Sequence, residues 1–388
     1  MASPTFALSW QLSELHGWGL VGTHTCLHLL DAGRPPLLLR EPALESLRPH
    51  NRARIEPLME SCRRIGAISA ARDGRPLRLG GTVMLHALSN GMVWDEPSRL
   101  YQGERNIGVI AFEDTGLDAD AIERARRFDR IVVHSTYNRR LLRERGLADV
   151  ACVFQGVDPG ELEPVAPRRA FGDRFVIFSG GKLEFRKGQD IALAAFTRFH
   201  RRHPEALLVT AWINPWPHTA RGMAESRHAP VPVGVAEGRL DLEGWAVANG
   251  AAPGSVVDLG FLPRDRLAGL FAECHAALFP NRCEGATNLV AMEAMACGVP
   301  TILSANTGHL DLIREGTCLP LLRQDPVPDP EGRRIGWGES SVEEALAHLE
   351  ALYQDRAAAR DLGASGRAFV RAERSWADFA RAFTEAAD

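Results

Sequence analysis

Residues 175–196 read FVIFSGGKLEFRKGQDIALAAF, and this stretch decides the fold of the second half of the chain. Its first six residues form an apolar run typical of a buried strand, and its last residues have the spacing of an amphipathic helix. The connection between them holds both lysines of the chain, Lys182 and Lys187; every other basic side chain is arginine or histidine. A strand that leads through a glycine-rich turn into a helix predicts a βα unit of a parallel sheet.

The composition of this turn favours a phosphate group. Gly180 and Gly181 let the backbone approach a ligand closely, and Gly188 precedes a helix whose free N–H groups favour an anion. Lys182 and Lys187 add compact positive charges that several phosphate oxygens can share. The turn matches neither GxxxxGK[ST] nor GxGxxG, and two lysines on a solvated loop are the alternative interpretation. We predict a diphosphate site here.

A second motif occupies residues 276–304, AALFPNRCEGATNLVAMEAMACGVPTILS. A strand runs into a turn at Glu284, and a helix is predicted over 289–296 with Glu293 in its second turn. These two carboxylates are suited to vicinal hydroxyls, as an acidic residue is to ribose in nucleotide sites, although Glu293 fits a solvated helix position equally well. Backbone contacts to the ligand are predicted at the residues between them: Gly285, Ala286, Thr287, Asn288 and Leu289.

Short apolar strands alternate with amphipathic helices along the whole chain, which predicts an α/β fold of parallel sheets covered on both faces. The first series of predicted strands is 6–10, 35–39, 82–88, 106–112, 130–135 and 150–155, with helices over 23–32, 51–64, 118–127 and 136–145. The second series is 175–180, 206–212, 256–261, 276–281 and 300–305.

The segment 156–169, GVDPGELEPVAPRR, separates the two series with three prolines and no periodicity. Such a break predicts a linker. We therefore expect one domain over 1–160, a second over 161–372, and a terminal helix over 373–388. Two open parallel sheets joined in this way are expected to turn their ligand-binding edges toward a common cleft.

The composition excludes several classes of protein. A net charge of −4 and a pI near 6.4 give no reason to bind nucleic acid. Seven cysteines without a CxxC pair indicate buried thiols in a reducing compartment. No apolar run reaches the length of a membrane span, so we expect a cytoplasmic protein. Its arginine-rich helices fit solvated faces, and peripheral contact with the inner membrane surface is the alternative.

Together these segments resemble the retaining glycosyltransferases of family 4, also called glycosyl transferases group 1. Residues 179–196 match the family's Gly-Arg/Lys-Leu…Lys-Gly…Ala-Phe segment, and 259–302 match its donor-site region. HGWGLVG (16–22) resembles the N-terminal glycine-rich loop, which implies substrate contacts at Gly17 and Gly19. The resemblance implies the GT-B fold: two facing Rossmann-like domains, the first on the acceptor side and the second binding nucleotide sugar, an interdomain cleft, and a C-terminal helix that crosses back to the first domain.

The resemblance also implies roles for single residues. Lys182 and Lys187 would contact the donor diphosphate, Glu293 the ribose, and the turn at Glu284 the transferred sugar. Eight residues separate the two glutamates where the family usually has seven, so the loop must bulge or Glu284 must act differently.

A second departure concerns the first domain, where many members carry a histidine after a strand. This chain has Glu113 and Asp114 at that place. Glu113 is therefore the candidate that holds or deprotonates the acceptor, and a surface carboxylate that caps the following segment is the equal alternative.

The predicted reaction transfers a sugar from a nucleotide diphosphate sugar, such as a UDP- or GDP-sugar, to a hydroxyl with retained anomeric configuration. The lysines would meet the charge that develops on the departing phosphate. No metal or other cofactor is expected, because two cations and a helix terminus already neutralise that charge. The predicted partners are the donor and a glycan, lipid-linked or other hydroxyl acceptor; the residues leave the base and sugar open.

Two other interpretations fit the same residues. A nucleotide-sugar epimerase or a sugar phosphorylase would share the architecture, since a fold does not fix a reaction. A non-catalytic glycosyltransferase-like subunit that binds a sugar nucleotide comes from a different class, and the unusual glutamate spacing is its main support. The product distinguishes them: an epimerised sugar nucleotide, a sugar 1-phosphate, a glycosylated acceptor, or none.

Overall fold

A computed structural model describes residues 4–212, 217–236 and 239–388 of the chain. They form two compact units that are each built from separate stretches of sequence. Unit 1 consists of Met1–Gly156, Pro330–Arg334 and Arg374–Asp388, and unit 2 of Val157–Asp329 and Ile335–Glu373.

Unit 1 contains a seven-stranded sheet. Its strands are β1 (Thr5–Leu8), β2 (Leu37–Leu38), β3 (Leu77–Ser89), β4 (Val93–Trp94), β5 (Tyr101–Ile110), β6 (Arg130–Val133) and β7 (Val150–Cys152). The order is β2-β1-β3-β5-β6-β7 with parallel neighbours, and β4 adds an antiparallel pair to β3. The central strands are buried on both faces, as the continuous apolar runs predict.

Helices connect these strands: α1 (Gly17–Asp31), α2 (Pro49–Ile55), α3 (Met59–Ala70), α4 (Glu96–Arg99), α5 (Ala119–Ala125) and α6 (Thr136–Glu144). The helix predicted over 51–64 is therefore two helices, and Pro57 lies in the short 3₁₀ turn between them. The predicted start of the helix at residue 23 was wrong: α1 already begins at Gly17, so most of the segment that resembles the family's glycine-rich loop is helical. His16 caps this helix by accepting the Gly19 N–H at 3.2 Å.

Unit 2 contains a six-stranded parallel sheet and two small antiparallel pairs. Its strands are β8 (Phe175–Gly180), β9 (Ala206–Ala211), β10 (Gly234–Ala236), β11 (Arg239–Asp241), β12 (Val256–Asp258), β13 (Ala276–Phe279), β14 (Thr301–Ser304), β15 (Leu319–Leu321), β16 (Gln324–Pro326) and β17 (Gly338–Ser340). The small pairs are β10 with β11 and β16 with β17.

The six-stranded sheet has the order β12-β9-β8-β13-β14-β15, which is the Rossmann order 3-2-1-4-5-6. The direction of strand succession reverses between β8 and β13, which pair in parallel. Ligands of such sheets bind at the carboxyl ends of the strands that flank this reversal. The two sequence motifs follow these two strands, so the topology brings them to one edge.

The helices of unit 2 are α7 (Gln189–His200), α8 (Leu242–Ala248), α9 (Leu267–Ala272), α10 (Leu289–Ala296), α11 (Val342–Gln354) and α12 (Arg356–Glu373). The helix predicted over 289–296 has the bounds of α10. Val157 and Leu162, from the predicted linker, are fully buried in the core of unit 2.

The last helix, α13 (Trp376–Ala387), belongs to unit 1 and packs against α1 and β6. The Trp376 ring stacks on His24 with ring centroids 4.6 Å apart. In the described ranges, no helix combines the length and the apolar composition that crossing a bilayer requires.

Candidate functional site

The lysine loop, residues 181–188, connects β8 to α7 at the reversal of the unit 2 sheet. Gly181 and Gly188 adopt left-handed backbone angles, with φ of 112° and 67°. A Cβ on Gly188 would lie 2.1 Å from the Pro280 carbonyl oxygen, so only glycine fits between the loop and the end of β13. Gly188 is also the N-cap of α7 and provides no side-chain cap, which leaves the helix N–H groups to other acceptors.

The structure brings Lys187 and Glu284 into direct contact. The Lys187 ammonium donates to Glu284 Oε1, which also accepts the Asn281 amide at 2.5 Å. Arg186 Nη1 lies 3.4 Å from the other carboxylate oxygen. The side chains of Lys187 and Glu284 are 12% and 5% exposed, so this is a buried ion pair. Glu284 is therefore the counter-ion of the loop in this state.

Lys182 lies at the open side of the same cluster. Its Nζ is 3.2 Å from Glu184, which also pairs with Arg186 at 2.8 Å. Three cations thus face two carboxylates, Glu184 and Glu284, and the cluster keeps one excess positive charge. With the uncapped α7 terminus beside it, the cluster favours an anion.

Burial and charge act in opposite directions on Glu284. Burial alone would raise its pKa, but the charges of Lys187 and Arg186 lower the pKa of Glu284 to about 2. Burial lowers the pKa of Lys187, and its pairing with Glu284 offsets only part of this effect. The carboxylate is consequently ionised at neutral pH.

The turn after Glu284 leads into α10. Asn288, at φ 68°, is the N-cap: its Oδ1 accepts the Ala291 N–H at 3.3 Å and its Nδ2 donates to His309 Nε2 at 3.0 Å. Burial lowers the pKa of His309 to about 4, so this imidazole is neutral. The backbone N–H groups of Ala286 and Thr287 donate to no residue that the structure describes. These two N–H groups remain available to a ligand over the turn, and ligand contacts at Gly285 and Leu289 stay a prediction.

Glu293 lies apart from the Lys187–Glu284 pair. Its Oε1 accepts from Arg264 Nη1 at 2.8 Å, and Arg264 Nε lies 3.4 Å from Glu161. The alternative of a solvated position was wrong, because Glu293 is only 6% exposed. In the described ranges its second oxygen has no partner, so Arg264 fixes the carboxylate while leaving one acceptor for a hydroxyl.

The unit 1 candidates lie at the ends of β1 and β5. Gly17 is the half-buried first residue of α1, whereas Gly19 is buried and a Cβ there would lie 2.0 Å from Ser13 Oγ. Close packing of α1 on the preceding loop thus accounts for Gly19, and its contact with substrate stays a prediction.

Glu113 is half-buried in the loop that follows β5. Its neighbour Asp114 accepts from Arg333 Nε and Nη2 at 3.0 and 2.5 Å, and the Thr115 N–H donates to the Arg333 carbonyl at 2.8 Å. The cap of the following helix is Asp118, whose Oδ1 accepts the Ala121 N–H at 2.7 Å. The segment 330–334 is therefore hydrogen-bonded to the loop of Glu113 and holds it in place.

Several residues of the site were missed by sequence reasoning. Arg186 and Glu184 are neighbours of the lysines, and Arg282 directly precedes the Glu284 turn. All three are charged residues inside the two motifs, and that position could have marked them as site candidates. Arg264 and His309 carried no such signal. Among the residues placed by the structure, no cluster of three or more His, Cys, Asp or Glu side chains is arranged to hold a metal ion.

Solved structures identify the class of fold. Sucrose-phosphate synthase from Thermosynechococcus elongatus is 17% identical and superposes with a TM-score of 0.67 over 98% of both chains. Anabaena Alr3699/HepE, in complex with UDP and glucose, is 12% identical with a TM-score of 0.67 over 98% of both chains. The predicted GT-B fold is thereby confirmed.

Sequence comparison then identifies the family. Residues 132–383 match the family described as "Family 4 Glycosyltransferase in conflict systems", and the chain belongs to it. It is 27% identical, over 211 residues, to the GDP-mannose-dependent alpha-(1-6)-phosphatidylinositol monomannoside mannosyltransferase of Mycolicibacterium smegmatis, covering 54% of this chain and 50% of that one. Identity to the D-inositol 3-phosphate glycosyltransferase of Acidothermus cellulolyticus is 27% over 269 residues, 65% and 52% of the two chains. The chain spans about half the length of these curated relatives.

Proposed function

We propose that this protein is a retaining glycosyltransferase that moves a sugar from a nucleotide diphosphate sugar to a hydroxyl without a metal. The observation that carries the proposal is the cluster of Lys182, Arg186 and Lys187 at the reversal of a Rossmann sheet, beside the uncapped terminus of α7. A diphosphate placed there meets fixed cations and N–H groups where the leaving-group charge develops.

Glu284 has a specific role in this proposal. It holds Lys187 in place in the free protein. When the donor binds, its phosphate accepts part of the hydrogen bonding that Lys187 otherwise gives to Glu284. Glu284 then turns Oε2, the oxygen nearer Arg186, to the transferred sugar, whereas Glu293, held by Arg264, accepts from the ribose hydroxyls. Glu113, in the braced loop of unit 1, is proposed to hold or deprotonate the acceptor.

The names of the relatives suggest which ligands to test. One relative is GDP-mannose-dependent and two relatives act on inositol-containing acceptors, while HepE was solved with UDP. We propose a UDP- or GDP-sugar as donor and a glycan, lipid-linked or cyclitol hydroxyl as acceptor. None of the seven cysteines, all of which lie in the described residues, forms a disulfide, which suits a cytoplasmic location.

Thermal unfolding with UDP, GDP, ADP and their common sugars tests the donor site. A nucleotide at one hundred times its dissociation constant should stabilise the protein by about 2.7 kcal/mol. Lys187→Ala should abolish the shift, whereas Arg381→Ala, on an exposed part of α13, should preserve it. Stabilisation of wild type and Lys187→Ala to the same extent would contradict this site.

A non-catalytic sugar-nucleotide-binding subunit is the second candidate. The observation that favours it is the burial of Glu284 under Lys187, which in this state keeps the carboxylate away from a sugar. A labelled donor incubated with inositol phosphate, phosphatidylinositol mannoside and glycan acceptors distinguishes the two. Release of nucleoside diphosphate with a glycosylated product supports the transferase, and donor binding without turnover supports the subunit.

A further inference from the structure

Arg282 is a charged residue in the interior of unit 2. It lies between β13 and the Glu284 turn, and its side chain is 0% exposed. Arginine is almost never fully buried unless it is paired, because transfer of a charge out of water is costly. The partners of Arg282 therefore show what the charge is for.

Lys187 ends a 3₁₀ turn, Phe185–Lys187, that leads into α7. The guanidinium of Arg282 binds the first residue of this turn and the first turn of α7. Nη1 and Nη2 donate to the two oxygens of Asp190 at 2.8 and 2.7 Å, and Nη1 also donates to the Phe185 carbonyl at 2.8 Å. The guanidinium carbon lies 3.9 Å from the centre of the Phe185 ring. A bidentate bond and a stacked ring together fix position and direction, which a lysine in this place would not do.

The backbone of Arg282 makes the same connection. The N–H groups of Arg282 and Cys283 both donate to the Arg186 carbonyl, at 2.7 and 3.1 Å. The side chain and the main chain thus tie the lysine loop to the strand end from which Glu284 projects. The Lys187–Glu284 contact, whose two members are 97 residues apart, lies directly beside this tie.

The charge of Arg282 is neutralised where it lies. Asp190 and Glu339, at 3.0 Å from Nε, face it from two sides, and Ser226 donates to Asp190 at 2.6 Å. Glu339 is also bound by His228 at 2.9 Å and by Arg227. Because two carboxylates contact the single positive charge of Arg282, this residue adds little attraction for a phosphate. Its contribution is geometric.

We propose that Arg282 is a positioning residue that holds the lysine loop so that Lys187 meets Glu284 and, on donor binding, the phosphate. The phosphate part rests on the proposed function, whereas the effect on Lys187 is measurable without any substrate. The chain offers a direct probe because it has two lysines, so reductive methylation followed by mass spectrometry reports each of them separately.

The experiment compares methylation rates in wild type and Arg282→Met. We expect Lys187 to react about tenfold faster in the variant, because a loop released from its tie opens more often. Lys182, at 35% exposure, should react at its wild-type rate. Arg356→Met is the matched control: it removes a guanidinium stacked 4.0 Å from the centre of Phe175 in the same unit, and the Lys187 rate should not change.

A second variant covers the case in which Arg282→Met does not fold. Arg282→Met with Asp190→Asn removes Arg282 together with its bidentate partner, and Glu339 keeps Arg227 and His228 as partners. An unchanged Lys187 rate in either folded variant overturns the proposal.

With donor, Arg282→Met should lower turnover about a hundredfold. It should add little to the effect of Lys187→Ala, because the two residues act as one unit. Full additivity would show that Arg282 does not act through Lys187. If wild type binds no nucleotide, only the proposed function fails.

Discussion

Lys182 and Lys187 differ in the space around their ammonium groups. The side chain of Lys182 is 35% exposed, whereas that of Lys187 is 12% exposed and enclosed by Glu284 and Arg186. A planar guanidinium fits the first position but not the second, where a compact ammonium is required.

We therefore expect Lys187→Arg to behave nearly like Lys187→Ala, with turnover lowered about 10²–10³-fold, the size typical of removing one preorganised donor. Lys182→Arg should keep much of the wild-type turnover. The measurement is the turnover of the four variants, Ala and Arg at each position, with folding checked by thermal melting. Wild-type turnover in Lys187→Arg would remove the main support for the diphosphate site.

The ionisation of Glu284 makes stability depend on pH. The native pKa is about 2, below the ordinary value of 4.5, so the carboxylate contributes stability that is fully present above pH 4.5 and is lost as pH falls toward 2. Glu284→Gln should be less stable than wild type at pH 7, by about 3 kcal/mol, because Lys187 stays buried without its partner.

That difference should shrink by about 1.4 kcal/mol for each pH unit below 4.5. Urea unfolding at pH 7, 4.5 and 3 measures it. Glu339, whose pKa is also about 2, is present in both proteins and cancels in the comparison. A difference that stays constant with pH would contradict the assigned ionisation.

The two glutamates should separate binding from turnover. Glu293→Ala should weaken nucleotide binding, since ribose contacts are made equally in the ground and transition states. Glu284→Ala should mainly lower turnover. Calorimetric titration with the nucleotide and steady-state kinetics of both variants provide the measurement, and equal loss of nucleotide affinity in both would count against these roles.

The residues of the site could be predicted better than their contacts. Lys187 and Glu284 stood out by residue type beside glycines at predicted strand ends. Their pairing could not be predicted, because it depends on β8 and β13 being neighbours across the reversal of the sheet. The same holds for Glu293 and Arg264, which come together through the packing of a short turn that has no apolar pattern.

At the scale of elements, Gly188 joins the lysine loop to α7. Gly188→Ala should destabilise the protein by clearly more than ~1–2 kcal/mol, the cost of a left-handed alanine, because the new Cβ would meet the Pro280 carbonyl oxygen. Gly254→Ala is the matched control, with φ 75° and open space around the new Cβ. Urea unfolding of both variants measures the difference, and equal losses would show that the close approach is unimportant.

Strands were easier to predict than helix starts. Every predicted strand overlaps a strand of the structure, because burial on both faces requires continuous apolar runs. The start of α1 was misplaced by six residues, since its glycines suggest a loop although they serve close packing. The pair of β16 and β17 was missed because its residues, QDP and GES, form no apolar run.

At the scale of the whole molecule, the proposed independence of a metal is testable. We expect activity to survive EDTA, because Lys182, Arg186 and Lys187 with the α7 terminus meet the phosphate charge. Turnover is measured before and after chelation and dialysis. Complete loss that is restored by magnesium or manganese would contradict a metal-independent reaction.

The division of the chain was only partly open to prediction. A linker after residue 156 follows from its prolines, but Pro330–Arg334 carries no signal that would assign it to unit 1. This segment is assigned to unit 1 because Arg333 binds Asp114, which lies 219 residues earlier in the sequence. Contacts of such long range are specified by the folded surface and not by local pattern.

The discontinuity of unit 1 affects how the protein is made. During synthesis, residues 1–156 leave the ribosome long before α13, which covers α1 and β6. Until then Trp376, Phe379 and Phe383, all nearly fully buried in the final structure, are missing from that surface. Unit 2 is complete once residue 373 has emerged, so the later half of the chain can finish folding first. The nascent first half meanwhile exposes an apolar face, which is a natural binding site for chaperones.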